Sequence, residues 1–136
     1  MEIVLDADVI ISAEKGRFDL RAWASTRPDD ILNLAAITVA EIWHGVWRAT
    51  EQHKAPRRRY LEAALTSLSI LPYTEATAHE HARIWAQLDA TGQMIGHYDL
   101  IVAATALERG TAVATFNTRH FSRVKGLTVI EPKLAR

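Results

Sequence analysis

Ile95-Gly96-His97-Tyr98-Asp99-Leu100-Ile101-Val102-Ala103-Ala104-Thr105-Ala106-Leu107 has one acid near its head, followed by eight residues without a charge. They are mostly small or branched apolar types with no turn signal among them, so the spacing predicts a helix that is apolar on every face and therefore buried. A carboxylate on such a helix is tolerated in the first turn, at an open rim or against the positive end of the helix dipole. Taken alone, Asp99 is explained as a cap or first-turn acid. The deciding question is whether other carboxylates arrive at the same place.

The chain of 136 residues has the size of one domain, expected to span residues 1–136. That length buries roughly two-thirds of the unfolded surface and needs no covalent staple. Cysteine is absent, which excludes disulfides, thiolate metal sites and cysteine nucleophiles and fits a reducing compartment. The start, Met1-Glu2-Ile3-Val4-Leu5-Asp6, has no basic leader, and no apolar run is long enough to span a membrane. A soluble, cytoplasmic protein is the expectation. Sixteen basic residues balance sixteen acidic ones, so the overall field gives no support to long-range capture of nucleic acid, although bound divalent cations would change the charge at a site.

Around the opening stretch, short apolar runs alternate with helical patterns. Residues 2–5 read as a strand ending at Asp6-Ala7-Asp8, and residues 9–15 as a helix stopped by Gly16. Residues 18–25 suggest another short helix, and Arg27-Pro28-Asp29-Asp30 is a turn by composition. Residues 31–37 have the nearly continuous apolar character of a strand buried on both faces. Thr38-Val39-Ala40-Glu41 then reads as a capping box, with Ile42, Trp43, Val46 and Trp47 on the buried side of the helix it opens. Pro56 is placed to open a helix running through Tyr60, Leu61, Ala64, Leu65 and Leu68. Residues 69–73 suggest an edge strand ended by proline. The next helix, residues 75–89, carries Ala78, Ala82, Trp85 and Leu88 as its core stripe, with His79 and His81 pointing to different sides. Residues 111–115 and 127–130 complete the strands, with a turn over residues 116–121 between them. The alternation indicates an α/β fold with a central, mostly parallel β-sheet flanked by helices.

In an open parallel sheet the functional crevice lies beyond the C-terminal strand ends. Asp6 and Asp8 follow the first strand, Glu41 opens the helix after the second, Asp99 opens the helix of the opening stretch, and Asn117 follows the strand of residues 111–115. All can face one crevice. Carboxylates gathered there would repel one another, and a hard divalent cation removes the conflict. Oxygen donors without cysteine or paired histidines suit magnesium or manganese rather than zinc. Such ions assist in-line displacement at a phosphoryl group, so metal-dependent phosphodiester hydrolysis is the chemistry these residues best support.

Leu5-Asp6-Ala7-Asp8, Thr38-Val39-Ala40-Glu41, residues 95–104 and Ala114-Thr115-Phe116-Asn117-Thr118-Arg119-His120-Phe121 resemble, in order, the motifs of PIN-domain ribonucleases, with the nearest likeness to VapC-type toxins of bacterial toxin-antitoxin pairs. The resemblance covers essentially the whole chain. It implies a single PIN-like domain and a Mg2+- or Mn2+-dependent endoribonuclease that leaves a 5′-phosphate and a 3′-hydroxyl. It also implies a homodimer, a transfer or ribosomal RNA loop as substrate, and restraint by a VapB-like antitoxin lying in the active-site groove. By motif match, Asp6, Glu41 and Asp99 are the core metal-binding acids. Asn117 stands where the family often has a fourth acid, Asp8 stands where a small polar residue is frequent and can supply the missing charge, and Thr115 is the hydroxyl that orients the site. Arg119, Arg123 and Lys125 are candidates for RNA phosphate contacts, with ordinary surface charge as the alternative.

Two other readings stay open at this point. Asp6-x-Asp8 after a first strand also resembles haloacid-dehalogenase-like phosphatases, but Val9-Ile10 stands where that family has Gly-Thr, and no lysine closely follows the strand of residues 111–115. The other reading is a non-catalytic domain whose acids hold an ion and which acts only through a partner. Trp43 and Trp47, one helical turn apart, are read first as core and second as aromatic anchors in a dimer or antitoxin contact.

Overall fold

The computed structural model describes residues 1–134 as a five-stranded, all-parallel sheet with helices on both faces. In chain order the elements are β1 (Glu2–Leu5), α1 (Ala7–Glu14), α2 (Leu20–Ser25), β2 (Ile31–Ala35), α3 (Ala36–Arg48), α4 (Glu51–Thr66), β3 (Ser69–Leu71), α5 (Glu75–Ala90), α6 (His97–Arg109), β4 (Ala112–Ala114), α7 (Thr118–Phe121) and β5 (Val129–Ile130). The strand order is β3-β2-β1-β4-β5. From β1 the chain first builds outward through β2 and β3 and then crosses to the opposite side through β4 and β5. The C-terminal end of β1 therefore lies where the winding reverses, the position at which open parallel sheets form their crevice.

Each face of the sheet buries its own apolar layer. Val4, Leu100, Val102, Ala103, Val113 and Phe121 belong to one, with Ile84 and Leu88 of α5. Ile3, Leu5, Val9, Ile10, Trp23 and Leu34 belong to the other, with Ile42, Val46 and Leu61 of α3 and α4. The opening stretch is α6, with Leu100, Val102, Ala103, Ala104, Thr105 and Ala106 all buried, as its uniform apolar character requires. Because α6 leads into the parallel strand β4, it runs back from the C-terminal edge of the sheet, and its first turn stands at that edge. Gly110 ends it in the left-handed conformation, at φ 68°.

Several local readings are corrected. β2 stops at Ala35 rather than at residue 37, and α3 begins at Ala36 with no side-chain cap bond. Thr38 is fully buried, and its Oγ1 has no hydrogen-bond partner, so the capping box does not form. The reason is that the extended backbone of Ala35 passes directly into the helix, which turns Thr38 inward among apolar neighbours. Glu41 lies in the second turn, and helix capping no longer explains it. Pro56 does not open α4: the helix begins at Glu51, after Thr50, and Pro56 lies inside it. The buried stripe of α3 is Thr38, Ile42 and Val46, which leaves Trp47 62% exposed one position past it. The buried stripe of α5 is Thr77, His81, Ile84 and Leu88, so Ala82 and Trp85 face outward. Residues 118–121, expected in a turn, form the short helix α7.

Candidate active site

At the end of β1, Asp6 is 5% exposed and is the N-cap of α1. Its Oδ1 accepts from the Ala7 N–H at 2.8 Å, and its Oδ2 accepts from the Thr115 hydroxyl at 2.8 Å. Thr115 follows β4, which pairs in parallel with β1, so the register of two neighbouring strands delivers this contact. The same hydroxyl oxygen accepts the Asn117 N–H at 2.9 Å, which fixes both the donor and the start of the following turn. Asp8, in the first turn of α1, accepts the Phe116 N–H at Oδ2, at 3.1 Å. Its Oδ1 is buried and has no partner.

Glu41 on α3 and Asp99 on α6 face Asp6 from the other strand ends. Asp99 is third in its helix, after the N-cap Gly96, and makes no capping bond. Burial pushes the Asp6 carboxyl up, with hydrogen bonds from Thr115 and Ala7 opposing. Asp8 is pushed up to about 6, first by burial and then by the charge of Asp6. Glu41 rises to about 7 through burial and then through the charges of Asp6 and Asp99. Asp99 rises to about 6 through burial and then through Asp6, and His120 opposes the rise. Among the described residues, no salt bridge reaches any of these acids. Four carboxyl groups thus share a crevice in which each resists ionisation.

The donor set fits a hard divalent cation. All the candidate ligands are carboxylate oxygens, the orphaned Asp8 Oδ1 lacks the partner that a buried carboxylate oxygen needs, and added positive charge would relieve every raised acid together. Among the described residues, no three acid, histidine or cysteine side chains stand close enough together to hold a metal ion as they are placed.

The remaining expected residues divide. Asn117 reaches the crevice, where its amide Nδ2 donates to His120 Nδ1 at 2.8 Å. His120 was not singled out from sequence; its spacing three residues after Asn117 was the available signal. Arg119 is exposed on α7 and free to meet a phosphate. Arg123 instead donates from Nη1 to the Met94 carbonyl at 2.9 Å, bracing the loop before α6. Lys125 precedes Gly126, which borders a hollow shared with Met1 and Gly110 at the opposite end of the sheet. Lys125 itself is exposed.

A central parallel sheet with acids beyond two strand ends and at the head of a buried helix defines a nuclease-like α/β class. The chain belongs to the PIN domain family, whose model matches residues 3–127. It is 34% identical over 136 residues to the VapC ribonuclease Y4jK of Sinorhizobium fredii, covering 96% of each chain. It is 29% identical to the tRNA(fMet)-specific endonuclease VapC of Shigella flexneri, covering 93% of this chain and 95% of that one. The structure of VapBC-1 from nontypeable Haemophilus influenzae is similar at a TM-score of 0.84 and 25% identity, with 96% of this chain and 98% of that chain covered.

Proposed function

We propose that this protein is a VapC-type endoribonuclease toxin that hydrolyses RNA phosphodiester bonds with Mg2+ or Mn2+ and is neutralised by a VapB-like antitoxin. The observation that carries the reading is the convergence of Asp6, Asp8, Glu41 and Asp99 at the winding reversal of the sheet, unpaired and resisting ionisation. Likeness over the full length to VapC ribonucleases supports it.

Asp6 and Asp99 would hold the cation, with Glu41 and Asp8 completing the oxygen set. When bound, such a cation lowers the pKa of water and offsets charge on the phosphoryl group. Thr115 holds Asp6 in one rotamer through its 2.8 Å hydroxyl bond, and the Phe116 N–H does the same for Asp8. Glu41 would orient the attacking water and accept its proton. Asn117 contributes an amide where a fourth acid would add charge, and Asp8 supplies that charge from across the crevice. Arg119 is the basic residue available to a substrate phosphate.

Transfer RNA is the substrate class most directly supported, since a full-length relative is named for it. A ribosomal RNA loop is the alternative. Solved VapBC complexes support the antitoxin partner. The cleft between α2 and α4, about 790 Å3 and lined in part by Leu20, Ile31 and Leu68 together with Arg21, Asp30 and Ser67, is the surface we assign to that partner. A homodimer is part of the same reading. Incubating antitoxin-free protein with total RNA and sequencing the new ends tests the activity. Discrete cuts bearing 5′-phosphates, abolished by chelator and restored by Mg2+ or Mn2+, are expected. Intact RNA under all these conditions, with the protein folded, would overturn it.

A further inference from the structure

Beside the acids lies a hollow that shares Glu41 with the site and extends away from it. It measures about 360 Å3 and is lined by Ile37, Ala40, Glu41, His44 and Tyr98. Four of these residues, at positions 37, 40, 41 and 44, form one stripe of α3, because residues three and four apart share a helix face. The opposite wall is Tyr98, which immediately precedes Asp99 in the first turn of α6. The hollow is therefore bounded by Glu41 and by the residue that precedes Asp99.

Tyr98 is 53% exposed, yet its ring is backed by other rings. His97 lies 6.5 Å from it, Trp85 packs edge-on to His97 at 5.6 Å, and His81 stacks on Trp85 at 5.5 Å. The far end is fixed by a 2.8 Å hydrogen bond between the Tyr73 hydroxyl and His81 Nδ1. Tyr98 thus stands at the outer end of an aromatic row, with about half of its surface open to a stacking partner. Ile37 and Ala40 supply apolar contact, and the exposed His44 carries ring nitrogens able to meet the polar edge of a base.

We propose that the hollow between α3 and α6 is a subsite for one nucleobase next to the scissile phosphate, with Tyr98 stacking on the base and His44 reading its edge. The proposal rests on the ribonuclease reading. Proteins that recognise single-stranded RNA splay bases out onto aromatic side chains, and this pocket is lined by Glu41 and by Tyr98, the neighbour of Asp99, so a base next to the reacting phosphate would meet it. A second copy of the chain is the competing occupant of an exposed aromatic face, but the hollow is bounded by the site acid Glu41, which ties it to the reacting centre.

The test compares short single-stranded oligoribonucleotides with methyl p-nitrophenyl phosphate, a diester without a base. In Tyr98→Ala, removal of the stacking ring is expected to raise KM for the oligonucleotides by roughly 5- to 100-fold, while hydrolysis of the small diester stays within about twofold. Tyr98→Phe should retain wild-type KM, and His44→Ala should alter the preference among the four bases. Equal losses on both substrates, or no change on either, would overturn the proposal. So would sedimentation of Tyr98→Ala as a smaller species than wild type, which would assign the face to contact between copies. If wild type cuts neither substrate, the ribonuclease reading fails instead. The subsite is then judged on binding of fluorescein-labelled decaribonucleotides, where Tyr98→Ala must weaken affinity by the same factor and Tyr98→Phe must not.

Discussion

Replacing Glu41 with glutamine removes one charge from the crevice without changing the size of the side chain, and it should stabilise the metal-free protein at alkaline pH. Burial and the charges of Asp6 and Asp99 raise this carboxyl from 4.5 to about 7. A group whose pKa is higher in the folded chain than in the unfolded one contributes stability that is complete below pH 4.5 and is lost as pH rises through about 7. At about 1.4 kcal/mol per pKa unit, the full shift corresponds to roughly 3 kcal/mol. Glu41 is only partly buried, so screening reduces this to about 1–2 kcal/mol. Glu41→Gln should therefore raise the midpoint of thermal unfolding by roughly 3–8 °C at pH 8 in chelator and change it little at pH 5. Saturating Mg2+ should reverse the order at pH 8, because wild type has the additional ligand and gains more from the ion. Differential scanning fluorimetry across pH 5 to 8, with chelator and with Mg2+, reads all of these quantities. Equal pH slopes for the two proteins in chelator would refute the claim that Glu41 is ionised against its neighbours.

Three further outcomes are expected. Thr115→Val removes the 2.8 Å bond to Asp6 and the acceptor of the Asn117 N–H; unfolding in urea should show a loss of about 2 kcal/mol, and cleavage should fall by roughly 10- to 100-fold. Asp8→Asn should weaken activation by Mg2+ on the order of tenfold, and adding Asn117→Asp should restore much of it; a double variant no better than the single one would remove the idea that Asp8 supplies the charge Asn117 lacks. Ala64→Trp, which fills the cleft between α2 and α4, should weaken antitoxin binding by calorimetry at least about tenfold while RNA cleavage is retained.

Where one residue type dominates a stretch, sequence sufficed. The uniform apolar run after Asp99 could only be a buried helix, and short apolar strands ending in Asp6 and Asp8, or leading to Glu41, marked the crevice once a parallel sheet was inferred. Degenerate patterns misled. Thr38-x-x-Glu41 makes a capping box only if the helix begins at residue 39, yet the same four residues also fit the interior of a helix that begins at residue 36, and only the backbone of Ala35 decides between them. On α5 the apolar stripe was read one position out of phase, because His81 was counted as polar although Tyr73 satisfies its Nδ1 and Trp85 stacks on its ring. Trp47 follows the same logic, since its bulk suggested burial while the helix phase set by Ile42 and Val46 turns it outward. The basic residues after Asn117 were not separable from sequence either. Whether Arg119, Arg123 or Lys125 meets the acids depends on how the chain leaves α7, which is a tertiary property.

Asp99 remains the residue on which the site depends most directly, because α6 holds its carboxylate at the crevice without using it as a cap. The decisive measurement is RNA cleavage by purified, antitoxin-free Asp99→Asn beside wild type in Mg2+, with thermal unfolding recorded on the same samples. Loss of cleavage by at least about 100-fold is expected, since a single ligand to a catalytic ion is removed, with a midpoint of unfolding in chelator equal to or above that of wild type. Full cleavage by Asp99→Asn would contradict the assignment of these acids as a metal-dependent ribonuclease site.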